Sequence, residues 1–429
     1  MSRCALFTVL ICLAQPAFAR PLVTSSEENV VRLCIAREGT PQRIVAACDA
    51  ALAEAGLTTA QRVDLTIARA DGHLWLENHD AAETGYRDAA SADPQSPDAW
   101  NGLGWALRET GGDRAAFDAF ETSLAVEVSI QGLGGKAATG RGAGLLSGEE
   151  ARVLLRAALA IDPEYAWALR EIGWSLLDDD RPDDAETVFG EALALDALDL
   201  NARYGLGRAV LSSGKAERAL EHFNGVLAED PEFFAARVYR IITLRDLDRN
   251  AQALRESDRL IETFPDRSSG YVERALSLQS LQRRTEAIET FARAEQILGD
   301  DNSILYWYAD ALAGDRRFKE ALDVIDRALG LSGANHSDHL LKSYIALELK
   351  DYALVRSAAE ASLQTGVEDP WAHYYIAISM VHSGQTDEGL TRFARAMETG
   401  LPDDRVGAFA RELISAGKYV EAAQLRLRY

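Results

Sequence analysis

Small apolar residues return along this chain with a fixed beat. The step from Ala82 to Ala116 is about 34 residues, the length of one helical hairpin. The next step, to Ala151, is longer by one, and Ala185, Ala219, Ala253, Ala287 and Ala321 then follow at the original spacing. Val355, Gly389 and Ala423 continue the series. Four residues after these markers stands a ring in Tyr86, Phe120, Phe189, Phe223, Phe291 and Phe393, and twelve after them a proline in Pro94, Pro163, Pro231 and Pro265.

Two antiparallel helices that cross closely need small residues at the crossing. Twelve residues before the markers the chain carries Gly104, Gly173, Gly207, Ala275, Ala309, Ser343 and Ala377, so small is expected to meet small. The ring lies on the same helix face as its marker and fills the wedge against the next hairpin. The proline ends the unit, because it cannot continue the helix it follows.

Trp100, Leu103, Gly104, Leu107, Ala116 and Phe120 run in the order of the tetratricopeptide repeat signature, and the chain resembles that family over nearly all of its length beyond a short leader. Units begin near Asn29, Val63, Pro97, Gln131, Ala166, Leu200, Phe234, Ser268, Asn302, His336, Pro370 and Asp404. The resemblance implies an all-α, right-handed α-solenoid of about 11–12 helix-turn-helix repeats, a fold that speaks weakly about function. Composition agrees: a chain of 429 residues with 47% hydrophobic and 26% charged residues exceeds one ordinary core, but a solenoid grows by adding units.

One segment conflicts with the rule. From Gly132 to Gly144 the chain carries six glycines where the fourth unit should have its first helix. Six glycines in an exposed helix cost about 6 kcal/mol relative to alanine, so no regular helix is expected there. Residues 131–148 therefore read as a glycine-rich break between an N-terminal arm, 29–130, and a C-terminal arm, 149–429. Lys136 and Arg141 invite a phosphate-loop reading, but Ala137 stands where Ser or Thr is needed and Ile130 where the first glycine is needed. The segment reads instead as a flexible joint.

Residues 1–19 form a leader. Arg3 precedes a short apolar run, and Ala17-Phe18-Ala19 places small residues where a signal peptidase reads, so cleavage after Ala19 is expected. The run is too short to span a bilayer, and no membrane span remains after cleavage. Two cysteines are left, Cys34 and Cys48, which face each other across the turn near Gly39 to Pro41. In an oxidising compartment they are expected to form a disulfide that clamps the first hairpin, although Cys48 also fits a ladder position as a small apolar group. The leader, the use of arginine over lysine and the cysteine-clamped hairpin are similar to exported proteobacterial repeat proteins, which implies a periplasmic or secreted protein.

Charge narrows the partners. The net charge is −22, and losing Arg3 with the leader takes it to −23, which repels nucleic acid and anionic lipid. Asp178, Asp179, Asp180, Asp183 and Asp184 lack the alternation of a calcium loop, and Asp180 reads as the cap of a helix starting at Arg181-Pro182. His336 and His339 lack a third ligand, so no metal and no cofactor is expected. No catalytic motif appears, and no enzyme is expected.

What remains is a face. The second, fifth, ninth and twelfth residues of each first helix share one side, which in this family lines the concave surface. There stand Trp105, Arg108, Trp167, Arg170, Trp174, Tyr204, Arg208, Tyr306, Tyr344, Trp371 and Tyr374. Such residues anchor partners, and they also pack repeats together. The family's carboxylate clamps use lysines and asparagines; here only Asn101 and Asn201 fall on this side. The expected function is a non-catalytic scaffold binding a protein or peptide; the alternative is an accessory subunit of polysaccharide or cell-envelope machinery.

Overall fold

The computed structural model describes residues 27–37, 39–331 and 333–428. The expected leader, 1–19, lies outside them. The chain divides after Lys215 into two compact units. The first holds five hairpins and an eleventh helix: α1 (Glu27–Ile35) and α2 (Pro41–Leu52), α3 (Thr59–Trp75) and α4 (His79–Ala92), α5 (Pro97–Glu109) and α6 (Asp113–Val126), α7 (Ile130–Gly142) and α8 (Gly148–Ile161), α9 (Ala166–Asp178) and α10 (Pro182–Leu195), then α11 (Leu200–Ser212).

The second unit begins with α12 (Ala216–Glu229) and continues with six hairpins. They are α13 (Phe234–Asp246) and α14 (Asn250–Thr263), α15 (Ser268–Ser280) and α16 (Arg284–Leu298), α17 (Asn302–Gly314) and α18 (Phe318–Leu329), α19 (His336–Glu348) and α20 (Tyr352–Gln364), α21 (Pro370–His382) and α22 (Thr386–Glu398), and α23 (Arg405–Ser415) and α24 (Tyr419–Arg428). The described residues form helices and turns without strands, and each unit is an α-solenoid of stacked hairpins.

From α4 to α22 the beat is the fourth residue of every second helix, and Ala82, Ala116, Ala185, Ala219, Ala253, Ala287 and Ala321 are all fully buried. The last marker shifts by one. α24 begins at Tyr419, one position early for the beat carried by Thr386 at the start of α22, so Ala422 is buried and Ala423 is exposed. The rings Tyr86, Phe120, Phe189, Phe223, Phe291 and Phe393 are buried to within 1%.

Glycine explains how those rings fit. A Cβ on Gly104 would lie 2.7 Å from the Phe120 ring, and one on Gly135 of the following unit only 2.2 Å from its other side. Phe189 is held the same way between Gly173 at 2.7 Å and Gly205 at 2.4 Å, and Tyr86 lies 2.1 Å from the Cβ position of Gly102. Gly104 and Gly173 thus make room for a ring rather than only for a facing alanine.

The glycine-rich segment is therefore not a break. α7 is a regular helix, capped by the Ser129 side chain, which accepts from the Gly132 N–H at 3.1 Å. The expected cost assumed an exposed helix, whereas Gly132, Gly134, Gly135 and Gly140 are buried and each admits a neighbour: Leu124, Trp167, Phe120 and Leu146 respectively. Packing of those side chains replaces the propensity that the glycines forfeit. Only Gly144, with φ +66°, serves as a turn residue. The longer step from Ala116 to Ala151 has its cause here. α7 begins at Ile130, one position early for the beat carried by Pro97 at the start of α5, while the turn 143–147 is longer by two than the turn 110–112.

Each hairpin turn needs one left-handed residue. Asp180 supplies it, with φ +56° and its N–H donating to the Leu177 carbonyl, so it does not cap α10. The N-cap is Arg181, whose side chain pairs with Asp184 and caps no backbone N–H; Pro182 and Asp183 stand in the first turn as expected.

Candidate functional site

In the first unit the aromatic face gathers into two clusters. Trp105 of α5 and Trp167 of α9 come from alternate hairpins, yet their rings meet edge to face at 5.8 Å. They reach each other across α7 because its corresponding positions carry Gly134 and Ala138, and a Cβ on Gly134 would stand 2.8 Å from the Trp167 ring. Tyr165 stacks on Trp167 at 5.6 Å, and burial pushes its phenol well up. Arg108 lies over Trp105 at 5.4 Å and Arg170 over Trp167 at 6.0 Å. Such contacts contribute roughly 0.5–1 kcal/mol each at partly exposed rings.

The second cluster centres on Trp174, with Phe189 at 5.1 Å, Tyr204 at 5.6 Å and Arg208 over its ring at 5.4 Å. The tryptophans are half-buried, while Arg170 and Tyr204 are buried. Arg170 pairs with Asp199 at 2.8 Å and with Glu171 at 3.6 Å, and Asp199 also caps α11 through the Ala202 N–H. Arg170 and Tyr204 thus hold neighbouring hairpins together, and the surface available to a partner is that of Trp105, Arg108, Trp167, Trp174 and Arg208.

The second unit carries a separate set. Trp371 meets Tyr374 at 5.9 Å and Tyr375 at 6.4 Å, with Arg405 over its ring at 5.0 Å. Tyr374 is buried against Phe393 and Phe409, and that burial pushes its phenol up to about 12. Tyr306 and Tyr344 are half-buried; Tyr306 meets Trp307 edge to face at 5.2 Å, and Tyr344 meets Phe318 at 6.5 Å.

A tetratricopeptide repeat family model matches residues 67–125, 170–232 and 272–336. The chain is a tetratricopeptide repeat protein. Solved structures agree. That of yeast Tom70 is similar over 94% of this chain and 95% of its own, at a TM-score of 0.55 and 11% identity. A human IFIT1 dimer with PPP-AAAA is similar over 87% of this chain and 90% of its own, at 0.50 and 16%. A tetratricopeptide repeat protein from Parabacteroides merdae covers 59% of this chain and 99% of its own, at 0.47 and 19%. At these identities the likeness to the first two shows the fold alone, and nothing is drawn from the third. A comparison with curated proteins finds no match.

In this repeat protein, sequence reasoning missed the acidic member of the aromatic face. Asp310 occupies the ninth position of α17, one turn beyond Tyr306, and burial alone pushes its carboxyl above the usual range. The same register that selected the tyrosines contains it. Around His336 and His339, the N-terminus of α19 is closed by Asn335 and Asp338, which cap each other's backbone. Among the described residues no group of three or more His, Cys, Asp or Glu could hold a metal ion, and no helix is long and apolar enough to cross a membrane. Cys34 and Cys48 are fully buried between α1 and α2, with Sγ atoms 2.06 Å apart and Cα atoms 4.8 Å apart.

Proposed function

We propose that this repeat protein is an exported, non-catalytic scaffold that binds a protein or peptide through the aromatic and arginine face of its first helices. The observation that carries the reading is the Trp105–Trp167 cluster, where α7 presents only Gly134 and the methyl of Ala138 and half-exposed tryptophans of two hairpins form one surface. Rigid tryptophans flanked by arginines are the residues that most often anchor a partner. Export, cleavage after Ala19 and a Cys34–Cys48 disulfide belong to the same proposal; the paired cysteines suit a terminal hairpin outside the reducing cytoplasm.

Peptides selected from a random display library on the mature protein test the groove. Their affinity should fall about tenfold or more for the Trp105→Ala, Trp167→Ala double variant. Selected peptides that bind both proteins equally would refute this face as the binding surface.

A further inference from the structure

The chain has a recurring way of dressing its own half-buried tryptophans. Arg108, Arg170 and Arg208 lie over Trp105, Trp167 and Trp174 in the first unit, and Arg405 lies over Trp371 in the second. At α17 and α19 the face continues but the arginine does not. Tyr306 and Asp310 follow one another by a turn on α17, and Tyr344 holds on α19 the same repeat position that Asp310 holds on α17.

Among the described residues no hydrogen bond or ion pair reaches the Asp310 carboxylate, and no neighbouring charge offsets its partial burial. Both tyrosines sense it: Asp310 acts with burial to push the phenols of Tyr306 and Tyr344 up. Arg316 and Glu348 act on Tyr344, but neither acts on Asp310.

A second carboxylate adds to the field. Asp338 is fully buried at the start of α19 and also acts on Tyr306. One of its oxygens accepts from the Asn335 N–H at 2.9 Å and from Asn302 Nδ2 at 3.4 Å. Its Oδ1, like the Oδ1 of Asn302, has no partner among the described residues. The place therefore offers acceptor oxygens, negative charge and tyrosine rings, and no cation offsets the Asp310 carboxylate. A carboxylate drawn out of water without a counter-charge destabilises a fold, so its complement is sought in a ligand.

We propose that Asp310, Tyr306 and Tyr344 receive an arginine side chain of a partner polypeptide. The guanidinium donates to the Asp310 carboxylate and lies against the tyrosine rings. Guanidinium fits better than ammonium because it is planar, weakly hydrated and stacks on aromatic faces, which is how the chain uses arginine at its own tryptophans. The net charge of −22 favours a basic partner.

The proposal rests on the reading of the chain as a polypeptide binder, and one selection separates the two. Random dodecapeptides are selected on the wild-type mature protein and counter-selected on Asp310→Asn, a near-isosteric change whose fold is checked by circular dichroism. Survivors should share an arginine. Replacing it by citrulline, or Asp310 by Asn, should each weaken binding about tenfold, and the two together should cost little more than either. Tyr344→Leu should weaken the arginine peptide more than the citrulline peptide. If peptides bind and depend on Trp105 and Trp167 but show no Asp310-dependent arginine, this site is wrong and the groove stands. If no peptide is selected at all, both readings fall.

Discussion

Replacing Gly135 by alanine tests the explanation of α7 directly. In an exposed helix the change stabilises by about 0.5–1 kcal/mol, because alanine loses less conformational freedom on folding. At Gly135 the new Cβ would lie 2.2, 2.3 and 2.5 Å from three atoms of the Phe120 ring, well inside the ~3.5–4.0 Å contact distance. The ring cannot retreat. On its far side it already packs against the Gly104 backbone, so closely that even a Cβ there would stand only 2.7 Å from it, and Trp105 stands edge to face at 5.2 Å.

Overpacking of this kind costs about 3 kcal/mol at the upper end of the usual range, so a net loss of about 2 kcal/mol remains after the helix gain. Gly190 is the control. It is exposed in α10 and a Cβ there meets nothing within 4 Å, so Gly190→Ala should stabilise by about 0.5–1 kcal/mol. One chemical change thus has opposite signs at two helical glycines. Denaturant midpoints compare the variants, and amide exchange in α6 and α7 supplies a local readout because repeat arrays need not unfold in one step. Adding Phe120→Leu should recover part of the loss in the Gly135→Ala background. A Gly135→Ala protein as stable as the wild type, with unchanged exchange in α7, would overturn the account of these glycines.

Three further outcomes follow from single groups. Asp310→Asn should stabilise the chain at pH 7: the folded carboxyl is raised above its unfolded value, so the penalty is absent at pH below the unfolded value, develops as pH rises through the folded one, and is complete at neutrality. Urea midpoints at pH 7 and pH 3 should show the advantage shrinking at the lower pH; a less stable variant at pH 7 would contradict an unpaired carboxylate. Arg170→Ala should cost about 3 kcal/mol, since it leaves Asp199, with 10% of its side chain exposed, as an uncompensated charge; Arg108→Ala, made in parallel, should cost well under half of that in the same melts. Reduction of a Cys34–Cys48 disulfide, whose sequence separation is 14, should lower the stability of the first hairpin by about 3 kcal/mol, read as faster amide exchange in α1 and α2 and absent in Cys34→Ser.

The hairpins were legible because their signals are local and repeated. Ala166, Leu200, Phe234, Ser268, Asn302, His336 and Pro370, read from the beat alone, are the first residues of α9, α11, α13, α15, α17, α19 and α21. The character of α7 was not legible in the same way. Helix propensity sums over neighbours in sequence and records each glycine as a loss, whereas the gain lies with Phe120 on the preceding helix, which Gly135 admits, and with Trp167 of the next hairpin, which Gly134 admits.

The aromatic face divides along the same line. Periodicity states the direction in which Arg170 and Tyr204 leave their helices, but their burial depends on what the adjoining helices present, such as Asp199 opposite Arg170 and Trp174 opposite Tyr204. In a repeat protein those covering residues stand about one period away, so exposure is written down the columns of the repeat. The fifth and ninth positions of the fourth unit are Gly134 and Ala138, the smallest pair on that face, and Trp105 and Trp167 close over them. The same column reading places Asp310 one period before Tyr344, where an acid and a ring share a wall and, among the described residues, no cation pairs with the acid. Small residues in a column therefore mark where side chains from neighbouring units meet, and an unmatched charge marks where the chain leaves a contact to be supplied from outside.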